Sequence, residues 1–121
     1  METINKLDIL ESALLESCDK FIKKGGIIKS GLFVSTLNGK ECRCPIGTLD
    51  SSDDLTTYSN RAYSNRISIF GINNQEMWAF VFGFDGHARS TVNKTVTDDT
   101  LVYYNLGKKF RKHYIEGDKQ W

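Results

Sequence analysis

The sequence predicts an α+β fold in which an antiparallel sheet of about four strands, made of two hairpins, packs with an N-terminal and a C-terminal helix. Amphipathic stretches near the two ends of the chain predict the helices, and two turn-containing apolar stretches between them predict the hairpins. Hairpins that follow one another along a chain favour antiparallel pairing. The 121 residues suffice for one hydrophobic core, so residues 1–121 are predicted to form a single globular domain.

The first predicted helix covers residues 3–24. Apolar side chains recur at spacings of three and four from Ile4 to Phe21, which is typical of a helix with one buried face. Lysines follow in the last turns, where the helix dipole favours cations. The Gly25-Gly26 pair is expected to end the helix, because glycine readily adopts the left-handed conformation of a C-cap.

The two predicted hairpins cover residues 32–46 and 67–84. The first turns at Asn38-Gly39, a pair that tolerates positive φ at both positions and is typical of two-residue hairpin turns. The second ends with the aromatic segment Met77–Phe84, whose alternate residues are apolar on both faces. A strand that is apolar on both faces is expected to run through the middle of a sheet.

The C-terminal helix is predicted over residues 98–116, with Thr97 or Asp98 as its N-cap. Gly107 lies on the apolar side of this helix and would allow a close approach to the sheet. Residues 47–66 carry a tandem Tyr-Ser-Asn-Arg repeat, whose five-residue period fits neither a helix face nor a strand face.

The composition argues against two classes of partner. The chain has 16 basic and 15 acidic residues and a net charge of +1, so a general nucleic-acid binder is not expected. No stretch approaches the roughly 20 apolar residues of a membrane span, so no membrane partner is expected. Three cysteines, with no signal-peptide pattern at the N-terminus, predict reduced thiols in the cytoplasm.

A ligand site is predicted where the aromatic segment ends, because arginines beside aromatic rings suit a phosphate-like or nucleotide-like ligand. Its candidate residues are Arg61, Arg66, Phe82, Phe84, Asp85, His87 and Arg89. The sequence thus predicts a small non-enzymatic cytoplasmic binding module of the inhibitor, immunity or anti-defence accessory type. It would recognise or sequester a protein partner or a compact anionic ligand, and no cofactor is predicted.

Two alternative functions stay open on the sequence. A small hydrolase or transferase would use Cys42 as nucleophile and His87 as general base, with Asp85 orienting the imidazole. A nucleic-acid binder would use the basic run Lys108–His113 on the last helix.

Metal binding and self-association are the remaining questions. Cys42 and Cys44 could hold zinc with His87, but their single-residue spacing is shorter than structural zinc sites normally use, so no metal is predicted. A sheet of two hairpins has edge strands to protect, and pairing with a second copy is one way to protect them. The sequence therefore predicts a homodimer or a higher oligomer.

Overall fold

The computed structural model describes residues 6–30, 34–37, 39–49 and 70–117. Three α-helices account for most of this part: α1 (Lys6–Lys23), α2 (Asn74–Phe84) and α3 (Leu101–Tyr114). The strands are β1 (Ile27–Ile28), β2 (Val34–Leu37) and β3 (Lys40–Arg43), and single 3-10 turns cover Gly47–Leu49 and Arg89–Thr91. No helix in these ranges has both the length and the apolar composition needed to cross a membrane.

The strands form one sheet in the order β1-β3-β2. β2 and β3 pair antiparallel, and Gly39 in the turn between them has a φ of +77°, which confirms the first predicted hairpin. β1 pairs parallel with β3, with Ile27 opposite Cys42. This short parallel strand follows α1 directly and was not predicted.

The predicted four-stranded antiparallel sheet is wrong, because Met77–Phe84 belongs to helix α2 and not to a strand. A capping box starts this helix. The Glu76 amide donates to Oδ1 of Asn73 over 2.8 Å, and the Asn73 amide donates to Oε1 of Glu76 over 2.9 Å. A continuous apolar run suits a buried strand and a buried helix alike. Here the capping box favours the helix, in which the polar residues Asn74–Glu76 precede the apolar run Met77–Phe84.

Helices α2 and α3 contact each other backbone to backbone at Gly83 and Gly107. A Cβ atom on Gly83 would overlap the carbonyl oxygen of Tyr104, and one on Gly107 would overlap that of Phe80. Gly107 thus permits the close approach that the sequence predicts, but its neighbour is a helix and not a sheet. Only glycine at both positions allows the two backbones to meet.

The bounds of the outer helices differ little from those predicted. α1 ends at Lys23, and Gly25 follows with a φ of +91°, as the glycine pair indicates. α3 begins at Leu101, later than predicted, and Thr100 precedes it. The Thr100 hydroxyl accepts from the Thr97 amide over 2.9 Å and donates to a preceding carbonyl, so it orders the turn before the helix. Neither Thr97 nor Asp98 is the N-cap.

The hydrophobic core joins all three helices. The ring of Phe80 stacks on Phe84 with 6.5 Å between centroids, and Phe110 of α3 meets Phe80 edge-on at 5.4 Å. Helix α1 adds its apolar stripe, which is buried as predicted at Leu10, Leu14, Cys18 and Phe21. An ion pair of 3.0 Å between Lys6 and Glu76 ties the start of α1 to the start of α2.

Candidate functional site

A cleft of about 310 Å³ opens where the C-terminal end of α2 faces the second half of α3. Gly83, where the two helices make their close contact, is one of the residues that line it. Besides Tyr104, the residues with ionisable side chains that line the cleft are His87, Lys108, Arg111, Lys112 and Glu116.

His87 stands in the tight turn that ends α2. Its amide donates to the Phe82 carbonyl over 3.0 Å, and Gly86 before it has a φ of +81°. The Tyr104 hydroxyl donates to the His87 carbonyl over 2.7 Å, and the Phe82 ring meets the imidazole edge-on at 5.4 Å. The imidazole is exposed at the cleft, yet its backbone and one side of its ring are held in place.

Arg111 connects the two walls of the cleft. Its Nη1 donates to the Phe84 carbonyl at the end of α2 over 3.0 Å, and its Nε lies 3.3 Å from the Glu116 carboxylate. A cation at this carbonyl offsets the partial negative charge at the C-terminal end of a helix. Arg111 therefore serves the fold as well as adding positive charge to the cleft.

Lys108 and Lys112 lie one turn apart on the exposed side of α3. The Lys108 ammonium lies 5.7 Å from the centroid of the Tyr104 ring. Neither lysine forms an ion pair with a carboxylate in the part of the chain that the structure describes. Among the residues that line the cleft, cationic side chains thus outnumber the one carboxylate, that of Glu116.

A second, shallower depression of about 270 Å³ adjoins the cleft on α3. Asn105, Lys108, Lys109 and Lys112 line it, so two of its residues also line the cleft. The Lys109 ammonium lies 3.5 Å from the Glu11 carboxylate of α1. The two lysines that the depressions share form a ridge between them.

The predicted ligand residues are only partly brought together. Phe82 and His87 are in contact. Asp85 is the C-cap residue of α2 and lies in the same turn as His87. Phe84 is buried in the core, with 1% of its surface exposed, so it offers no stacking surface. Arg61 and Arg66 lie outside the described residues.

Arg89 lies apart from the cleft, although the sequence predicts that it belongs to the ligand site. It lies on an exposed 3-10 turn, where its Nη2 donates to the Asp98 carboxylate over 3.1 Å. It does not line the cleft. An exposed ion pair of this kind contributes little to stability. Basic residues of α3, and not Arg89, supply positive charge to the cleft.

The thiols are remote from solvent. Cys42 is 1% exposed on β3, and its Sγ lies 3.8 Å from the Lys40 carbonyl, so a substrate cannot reach it as the predicted nucleophile. Burial raises the pKa of Cys18 and of Cys44 from 9.0 to about 12. Within the described ranges, no three His, Cys, Asp or Glu side chains are grouped so as to hold a metal ion.

The lysine ridge was not predicted as part of the ligand site. In the sequence, Lys108 and Lys112 belong to the basic run of the nucleic-acid alternative, and no pattern connects them with His87. Their nearness to His87 depends on the crossing of α2 and α3, for which Gly83 and Gly107 are the sequence cue. No protein-family model matches the chain, and no curated protein or solved structure is significantly similar to it.

Proposed function

We propose that this chain is a non-enzymatic binding module that recognises a compact anionic ligand in the cleft between α2 and α3. The observation that carries this proposal is the convergence of Lys108, Arg111 and Lys112 on one cleft, with a single carboxylate, Glu116, among its lining residues. A volume of about 310 Å³ suits a small anion or the anionic end of a larger molecule.

The lysine pair supplies most of the attraction in this proposal. Each ammonium carries three donors on a flexible stem, and together they can surround an oxyanion. The imidazole of His87 adds an N–H donor from the opposite wall. Because the lysines are exposed, salt screens their attraction, and the affinity is expected to fall as ionic strength rises.

Binding is favoured over catalysis by the position of the thiols. A hydrolase or transferase of the predicted type needs a nucleophile that a substrate can reach, and Cys42 is sealed in the sheet. All three cysteines are unpaired and buried, which supports a reducing compartment and hence the cytoplasm as the proposed location. An accessory protein that captures an anionic ligand, or a partner bearing one, fits these features.

The proposal is tested with Lys112→Gln and inorganic phosphate as the probe. Loss of one cationic contact is worth up to about 1 kcal/mol at an exposed site, so we expect an affinity about fivefold lower than that of the wild type. Calorimetry at low salt measures the affinity, and the NMR signals of the His87 ring report whether phosphate enters the cleft.

Lys23→Gln is the matched control, because it removes the same charge from the exposed last turn of another helix, α1. It should leave phosphate binding unchanged. An equal loss of affinity in the two variants, or no phosphate binding by the wild type, would contradict the proposal.

A further inference from the structure

We infer that the ligand carries two linked anionic groups of the diphosphate type, which bind on the two sides of the lysine ridge of α3. This inference rests on the proposed function and specifies its ligand. The ridge consists of Lys108 and Lys112, and both residues line the cleft as well as the adjoining depression.

The shape of the ridge favours two anionic groups. Side chains four residues apart on a helix are neighbours, with about 5–6 Å between their Cβ atoms. A single small anion contacts the ridge from one side and leaves the other depression empty. Two linked groups contact the same pair of ammonium groups from both sides, with one group in the cleft and the other beside Asn105 and Lys109.

Each depression adds its own polar groups to those of the ridge. The cleft adds His87 and Arg111, whereas the depression on α3 adds the Asn105 amide and the Lys109 ammonium. An amide N–H and an ammonium both donate to oxyanions. The two halves of the site therefore differ in their residues but favour the same chemistry.

The basic residues of the cleft and of the adjoining depression have a carboxylate on either side, and this favours a short ligand. Glu116 lines the cleft on one side, and Glu11 of α1 stands 3.5 Å from Lys109 on the other. A long polyanion such as a nucleic acid would place further phosphates against these carboxylates. A diphosphate has one anionic group for each depression and none beyond them, and the net charge of +1 likewise gives a polymer little general attraction.

The test compares inorganic phosphate, pyrophosphate and a nucleoside diphosphate as ligands of the full-length chain, by calorimetry at one low ionic strength. We expect pyrophosphate to bind at least tenfold more tightly than phosphate. Equal affinities for pyrophosphate and the nucleoside diphosphate would identify a free diphosphate group as the feature recognised. A higher affinity for the nucleoside diphosphate would identify a nucleotide as its source.

Two variants separate the second subsite from general charge. Asn105→Ala and Lys109→Gln should each lower the affinity for pyrophosphate severalfold and leave the affinity for phosphate within twofold of wild type. Asn105→Ala keeps every charge and every contact of Lys109 with Glu11, so it remains informative if Lys109→Gln disturbs the fold. Lys23→Gln again serves as the charge control on α1.

The outcomes distinguish this inference from the proposed function. If phosphate binds in the cleft but pyrophosphate binds no more tightly, or if both variants leave pyrophosphate affinity intact, the inference is wrong and the proposed function stands. If neither anion binds, the proposed function itself fails. Tighter binding of a hexaglutamate peptide than of pyrophosphate would also overturn the inference, because it would indicate an acidic protein segment as the ligand.

Discussion

Gly83 and Gly107 are the residues on which the architecture of the cleft most directly depends. Each faces a backbone carbonyl of the opposite helix, and a carbonyl cannot rotate away as a side chain can. The only route by which either position could accept a methyl group is a separation of α2 and α3. Such a separation would also loosen the hydrogen bond from Arg111 to the Phe84 carbonyl.

We predict that Gly107→Ala lowers the free energy of unfolding by about 1–3 kcal/mol, as overpacking in a well-packed core does. This loss would exceed the gain of up to about 1 kcal/mol that alanine brings to a helix interior. Urea denaturation measures the change. Asn105→Ala on the exposed side of the same helix is the control, with an expected change within about 0.5 kcal/mol. A Gly107→Ala variant as stable as wild type would show that the helices do not touch here.

The sequence predicts that His87 lies in a turn, but it does not predict which residues contact it. The Asp-Gly-His order indicates a turn after an apolar segment, and the structure has that turn. Its contacts come from residues far along the chain, since the Tyr104 hydroxyl that holds its carbonyl belongs to α3. No local pattern reports such a contact, so the site was only half predictable.

Helix α2 begins at a capping box formed by Asn73 and Glu76. Asn73 accepts from the Glu76 amide, and a run of aromatic residues follows that would fit a strand as well. We predict that Asn73→Ala destabilises the chain by about 1 kcal/mol, the usual cost of losing an N-cap. Asn73→Asp keeps a side-chain acceptor and should stay near wild type in urea denaturation followed by circular dichroism. A similar loss in both variants would argue against the cap.

The elements that were predicted correctly each carry a local cue, and those that were missed do not. Gly25 after α1 and Gly39 in the first hairpin turn adopt positive φ, which few other residues allow. Met77–Phe84 satisfies a two-residue period and is also apolar all round, so periodicity alone cannot separate a strand from a buried helix. The spacing of Asn73 and Glu76 is the cue that decides between them. β1 has only two residues, and its partner β3 lies beyond the hairpin turn, so no local pattern indicates the pairing.

At the scale of the whole molecule, buried thiol and phenol groups make the free energy of unfolding depend on pH in the alkaline range. Burial raises the pKa of Cys18 and of Cys44 from 9.0 to about 12. Burial and the nearby Glu76 carboxylate raise the pKa of Tyr103 from 10.0 to about 12, and burial also raises the pKa of Tyr114. At a pH between the ordinary pKa of such a group and its raised pKa, the unfolded chain releases protons that the folded chain retains.

We therefore predict that the free energy of unfolding falls as pH rises from about 9 towards 12, because the unfolded state binds fewer protons there. Below pH 9 the contribution of the thiols is fully present. The urea midpoint at pH 8, 9, 10 and 11 measures the effect. A Cys44→Ala variant should be less stable at pH 8 but should show a shallower decline. A midpoint that stays constant to pH 11 would contradict the assignment.

Self-association remains a prediction at this scale. Within the described residues β1 and β2 are the edges of the sheet, since β3 lies between them. Exposed edges favour pairing between copies, and we predict a mass of at least twice 13.7 kDa by light scattering at micromolar concentration. The mass should not change with salt if strand pairing, rather than charge, holds the copies together. A mass of one chain would refute the prediction.

The contact between the backbones of α2 and α3 bears on how ligand preference can diverge among descendants of this fold. Gly83, at the contact between the two backbones, lines the cleft beside the side chains that would meet a ligand, at positions 87, 108 and 112. Exchanges at these three positions can change charge and hydrogen bonding while the two glycines preserve the frame. For the anionic ligand that we propose, a change of preference would therefore need few substitutions and would cost little stability.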